Sequence, residues 1–233
     1  FTLDAAGKVT KATQQGVDVT AGLLGTQTSA QASLDAAFER RSFTGNITIV
    51  GDLPANLEIN LADARGNVTF ADDLFGSLVV DGYGAGIDGT LTVQGNLDGH
   101  VLVRGLDRVA IATNATIPDG AVKHNVGDGQ INKINAIVVE GSTGSFADIR
   151  AEEIGDVTIR HNFSGLLSSN VWSATATSGN LALPAVGGTD WNSVAKTATG
   201  YADFDGKIGN VTIGKNVDGT GNGGSLINGT IQG

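Results

Sequence analysis

The sequence predicts an all-β fold whose short strands return about once every 22 residues. Three observations carry this expectation: a nine-residue outline that recurs, a two-residue alternation inside it, and a composition dominated by small aliphatics, Gly and Asx. The outline stands in "GNITIVGDL" (45–53), "GNVTFADDL" (66–74) and "GTLTVQGNL" (89–97), and again in "GDVTIRHNF" from Gly155 and "GNVTIGKNV" from Gly209. Two weaker copies, "DRVAIATNA" from Asp107 and "NAIVVEGST" from Asn135, lie between them. Five steps cover the 110 residues from Gly45 to Gly155, a mean of 22.

Self-similarity at this period marks a chain that stacks one supersecondary unit on the next. The steps Ile47–Thr48–Ile49, Val68–Thr69–Phe70 and Leu91–Thr92–Val93 alternate as a strand with one apolar face does, and they are rich in β-branched residues. A second apolar run follows each copy at about ten residues, in "LEINL" (57–61), "LVVDG" (78–82) and "VLVRG" (101–105). A propeller blade needs about 40 residues per repeat, and a leucine-rich repeat needs its own Leu/Asn spacing and a helical half. The remaining reading is a right-handed parallel β-helix, or β-solenoid, with about 22 residues per coil. Asp52, Asp73, Asn96, Asn114, Asn162 and Asn216 share one position in the outline. Asx residues suit tight corners, and stacked in register they form a side-chain ladder. The Thr column (Thr48, Thr69, Thr92, Thr158, Thr212) is expected to face solvent. Ala110 and Val138 interrupt it, which argues against a flat ice-ordering Thr surface.

Two segments depart from the period. Residues 1–42 lack the outline, and "SLDAAFERR" (33–41) has helical spacing with Ser33 as the expected N-cap. This segment is read as a short, partly helical N-terminal cap or a contact element, and 43–233 as the solenoid. Residues 165–207 form an irregular excursion holding Trp172, Trp191 and Tyr201, the aromatic residues best suited to contact a ligand. The closing "GGSLINGTIQG" (223–233) ends in a strand-like run, so either more chain follows or this end stacks on another molecule.

Composition removes several function classes. A net charge of −10 with only 14 Lys plus Arg lacks the basic footprint of nucleic-acid binding or of docking on anionic lipid. Cys is absent, so neither disulfides nor thiolate metal sites exist. No run reaches the length of a membrane span. The three His (His100, His124, His161) show no metal-ligand spacing and no triad motif. Asp72/Asp73 and Glu152/Glu153 are adjacent pairs, which a strand would point to opposite faces rather than join as a glycosidase dyad. No catalytic residue is assigned. Calcium is the one cofactor the sequence points to: "NVDGTGNGG" (216–224) offers Asn216, Asp218 and Asn222, and "DGYGAGIDG" (81–89) offers Asp81 and Asp88, in turning, oxygen-rich loops. Glycosylation sequons at Asn46, Asn67, Asn114, Asn162, Asn210 and Asn228 are read as by-products of the repeat.

The "GNITI", "GNVTF", "GTLTVQGNLDG" and "IGNVTIGKNVDG" repeats, over roughly 43–163 and 208–231, resemble the β-solenoid portions of bacterial and archaeal surface proteins. Those are S-layer subunits and large secreted adhesin or haemagglutinin-like proteins. The resemblance implies an extracellular, cell-surface structural protein that assembles with itself by lateral and end-to-end contacts, often held by calcium. The alternatives are an adhesin stalk or carbohydrate-binding domain that meets cell-surface polysaccharide, and a polysaccharide lyase or hydrolase.

Overall fold

The structure, a computed structural model, describes residues 1–39, 41–80, 86–103, 133–151, 153–169, 173–174, 201–202, 207–214 and 226–232. These residues are mostly β, and the largest element is a parallel sheet curled into a half-barrel. It contains 14 strands among the described residues.

Each copy of the outline among the described residues contributes one row, and rows pair in register. Ile47–Ile49 pairs with Val68–Phe70, then come Gly86–Val93, Lys133–Val139, Glu153–Ile159 and Val211–Ile213 in succession. This places Ile47, Val68, Leu91, Ile137, Val157 and Val211 in one column and Ile49, Phe70, Val93, Val139, Ile159 and Ile213 in another. All face the core except that Val211 and Ile213, in the last row, are half-buried. The residues between them, Thr48, Thr69, Thr92, Val138, Thr158 and Thr212, are exposed or half-buried. Alternation with a period of two thus separates a dry face from a wet one.

The second apolar runs stack in the same way. Glu58–Ala64, Ser77–Val80, His100–Val103, Asp148–Arg150, Phe163–Ser168 and Leu226–Gln232 pair in order, burying Ile59, Leu78, Val101, Ile149 and Leu167. A third column of Ala64, Ile87, Ile134, Ile154 and Ile208 follows. Side chains from all three sets meet in one hydrophobic cluster.

The described residues form six rows, whereas the outline recurs seven times in the sequence. Leu91 pairs directly with Ile137, so the copy from Asp107 supplies no row between them. Ala110 lies outside the described residues; Val138 stands in the Thr column between Thr92 and Thr158. The expected excursion also begins later than residue 165, because Phe163–Ser168 is a regular strand of the sheet. One corner takes up most of the difference in repeat length. Between the second and third columns the chain runs from Asn60 to Ala64, Val79 to Ile87, Leu102 to Ile134, Arg150 to Ile154 and Ser168 to Ile208, while the columns themselves stay in register.

The first row meets residues 1–39. Leu3 N–H donates to Val50 O at 2.7 Å and Val50 N–H to Phe1 O at 2.9 Å, adding a short parallel segment beside the first row. Helix Ala30–Phe38 lies against Glu58–Ala64. Its Gln31 side chain accepts from Glu58 N at 2.9 Å and donates to Glu58 O at 2.8 Å, as a neighbouring peptide unit would. The helix is capped by Ser29, whose side chain accepts from Ala32 N, and not by Ser33. Ser33 is buried one turn in, where its hydroxyl donates to Ala30 O at 2.6 Å and accepts from Val9 N at 2.9 Å. A Ser that satisfies a buried strand N–H from within a helix has the composition of a cap without the position of one.

Leu91 has zero exposure and sits mid-column between Val68 and Ile137. Truncating it removes its transfer free energy and leaves a cavity that paired rows on both sides hold open, so Leu91→Ala is expected to cost about 2–5 kcal/mol. Urea unfolding measures this; the surface change Thr92→Ala on the adjacent residue should stay within about 0.5 kcal/mol.

Candidate functional site

The polar positions of the repeat converge on the outer corners of the sheet. After the main strands an Asx or Ser side chain reaches the next row. Asp52 Oδ1 accepts from Asp73 N at 3.0 Å, Asp73 Oδ1 from Asn96 N at 2.6 Å, and Asn96 Oδ1 from Ser142 N at 3.0 Å. Ser142 Oγ accepts from Asn162 N at 3.3 Å. The backbone answers in the other direction: Leu53 N–H donates to Asp73 O, Leu74 N–H to Asn96 O, Leu97 N–H to Ser142 O and Thr143 N–H to Asn162 O. Each corner is thus tied by a side-chain bond one way and a main-chain bond the other. The ladder steps from Asn96 straight to Ser142. Asn114 and Asn216 lie outside the described residues. Ser142 was missed because it is not Asx, although a hydroxyl offers the same acceptor.

A second ladder opens the main strands. Asn46 Oδ1 accepts from Asn67 N at 3.0 Å, Asn67 Oδ1 from Thr90 N at 2.9 Å, and Asp156 Oδ1 from Asn210 N at 2.9 Å. The sequons at Asn46, Asn67 and Asn210 are therefore residues of a corner ladder. Two glycines explain themselves beside it. A Cβ on Gly99 would be driven into the Gly76 carbonyl oxygen, and one on Gly66 would lie 2.5 Å from Gly45 O.

The acidic pair Asp72/Asp73 is occupied by these contacts. Asp72 Oδ2 accepts from Gly51 N at 2.8 Å while Asp73 serves the ladder, so both carboxylates hold backbone. Glu152 lies outside the described residues. Charged side chains elsewhere pair locally: Asp148 takes Arg150 through two oxygens at 2.7 and 2.8 Å, Arg160 pairs with Glu140 of the previous row, and Arg65 bonds Asp63 at 2.8 Å. The Asp63 hydrogen bond and charge, with Asp88 nearby, raise the Arg65 pKa. Of the residues named for calcium, Asp88 is exposed on Gly86–Val93, and Asp81, Asn216, Asp218 and Asn222 lie outside the described residues. Among the described residues no three His, Asp or Glu side chains gather around a common point. Tyr201 stands in a two-residue strand paired with Ala174, and Trp172 and Trp191 lie outside the described residues.

The two ends of the sheet differ. The first row is met by residues 1–3 and by Gln31. Among the described residues, Val211–Ile213 and Leu226–Gln232 pair with a row on one side only. Comparison with protein-family models, with curated proteins and with solved structures finds no match.

The ladder makes a prediction that depends on charge. Asn96 Nδ2 lies 3.3 Å from Asp73 Oδ1 and donates to it. Asn96→Asp keeps the acceptor for Ser142 N but sets two carboxylates against each other, and is expected to cost about 1–2 kcal/mol. Salt should recover part of that loss, whereas Asn96→Ala should lose about 1 kcal/mol with little salt dependence. Unfolding midpoints at low and high salt separate the two.

Proposed function

We propose that this chain is a structural, extracellular cell-surface protein, an S-layer or filament subunit, wound as a right-handed parallel β-helix of about 22 residues per coil. Residues 1–42 act as its cap, closing the strand edge of the first coil. The observation that carries the reading is where the polar residues of the repeat are used. Asp52, Asp73, Asn96, Ser142, Asn46 and Asn67 are spent on joining one row to the next. A chain that uses its recurring polar positions this way is organised for extent and stiffness, and its repeating flanks suit lateral packing against copies of itself. Among the described residues the last row is paired on one side only, and a strand edge of that kind suits an end-to-end contact. Calcium at the loops holding Asp81, Asp88, Asn216, Asp218 and Asn222 belongs to this reading as the cation that secures contacts between copies.

Sedimentation and negative-stain imaging over a dilution series, with millimolar calcium and then with chelator, test it. Sheets or filaments that grow with concentration are expected, and a strict monomer in every condition overturns the reading. Assembly indifferent to chelator removes calcium and leaves the structural role. Ile231, 42% exposed on the edge strand, supplies a point variant. Ile231→Lys places a charge on that edge and should raise the concentration needed for end-to-end association about tenfold, or 1.4 kcal/mol.

A further inference from the structure

Most phenylalanines of the described residues are drawn into the interior: Phe38, Phe70 and Phe163 have zero exposure, and Phe1 and Phe43 pack with Phe38. Two are not. Phe146 is 73% exposed and Phe75 is 36% exposed, and both line one open cleft of about 510 Å³ with Pro54, Ala55, Asp98 and His100. The cleft crosses the rows. Phe75 follows Leu74, Asp98 follows Leu97 and Phe146 belongs to the turn after Thr143, and Leu74, Leu97 and Thr143 are successive bridge partners. The order is ring, carboxylate, ring. The rows that carry the two rings are two steps apart, about 10 Å between backbones at an inter-strand spacing of roughly 4.8 Å.

The position of Phe146 is built. Asp98 Oδ1 accepts from Phe146 N at 2.8 Å, which ties the turn carrying the exposed ring to the row below. Three more main-chain donors of the cleft are engaged: Phe75 N with Leu53 O, Asp98 N with Leu74 O and His100 N with Gly76 O. A peptide strand would find none of these four N–H groups to pair with, which leaves recognition mainly to side chains. Those side chains are two flat apolar rings, a carboxylate with one oxygen beyond its bond to Phe146, and the partly exposed His100 imidazole, whose Nδ1 lies 4.0 Å from Asp148.

From this arrangement we infer a glycan-binding cleft for a linear, β-linked, uncharged pyranose chain. A pyranose presents an apolar C–H face that lies on an aromatic ring and a rim of hydroxyls that donate to a carboxylate and exchange hydrogen bonds with imidazole. The two rows are separated on the scale of a disaccharide, so alternate sugars of an extended chain would meet Phe75 and Phe146 while the sugar between them meets Asp98 and His100. Asp98, Asp148 and the net charge of −10 disfavour uronate polymers and select a neutral one. The inference is independent of self-assembly and requires only the cleft.

The test is calorimetric titration of the full chain with tetramers of β-1,4-linked glucose, β-1,4-linked N-acetylglucosamine and α-1,4-linked galacturonate. Saturable binding of a neutral tetramer is expected, weakened about tenfold by Phe146→Ala and by Phe75→Ala, or 1.4 kcal/mol each. Unchanged circular dichroism and unfolding midpoint of Phe146→Ala keep the comparison clean, since that ring is largely in solvent. Absence of saturable binding to both neutral tetramers overturns the proposal, as does equal affinity of the two variants and the parent, or preference for the uronate. Loss of self-association in Phe146→Ala without any sugar binding assigns the cleft to a contact between copies and overturns it equally.

Discussion

Every strand of the main sheet is parallel to its neighbours and must find their N–H and C=O groups one repeat away, and the rest of the molecule follows from that obligation. Parallel strands cannot be closed by a two-residue hairpin; the chain has to travel round and return in the same direction before it can pair again. Each row must therefore bring its columns back to the same height, and the corners must turn without leaving polar backbone unmatched. The Asx and Ser side chains meet that demand where the ladder of main-chain bonds is interrupted. The glycines meet a second demand, because the carbonyl oxygen of the preceding row occupies the space a Cβ would need at Gly66 and Gly99.

The same obligation has a different solution at the first row, where there is no earlier repeat to pair with. Residues 1–3 give it a piece of parallel backbone, and the Gln31 amide reproduces a peptide unit opposite Glu58. Apolar contacts fix this arrangement: Leu34, Ala37 and Phe38 bury the inner face of the helix, and Phe1, Phe38 and Phe43 pack with ring centroids 4.3 to 6.3 Å apart. An unrelated sequence thus satisfies hydrogen bonds that, elsewhere, a copy of the repeat satisfies.

The parallel strands and their buried faces were legible because they depend on short-range alternation and on a period that the chain prints repeatedly. Ile47, Val68, Leu91, Val157 and Val211 can be aligned by eye, and they share a column. The copy from Asp107 also aligns by eye, yet Leu91 meets Ile137; a local pattern does not reveal which row its neighbour chooses. The ladder was legible where it used Asx and hidden where Ser142 supplied a hydroxyl. The second ladder was hidden by a competing meaning, because Asn46–Ile47–Thr48 and Asn67–Val68–Thr69 spell a modification signal as well as a corner and a wet-face Thr. Ser33 misled for a related reason: its hydroxyl bonds backbone, but the backbone belongs to Val9. The Phe75–Phe146 cleft had no sequence signal, since the two rings come together only through the pairing of Leu74, Leu97 and Thr143.

Both long stretches of extra chain, from Leu102 to Ile134 and from Ser168 to Ile208, leave and rejoin at the same corner, which elsewhere is crossed within four residues from Arg150 to Ile154. The fold therefore separates two kinds of inheritance. Within the strands the rows are bound to a common measure, where an added residue would turn an inward aliphatic outward. That corner keeps no measure at all. New sequence can be acquired there, enlarged or exchanged without renegotiating the core, so the molecule can change what it displays at that corner while remaining the same scaffold.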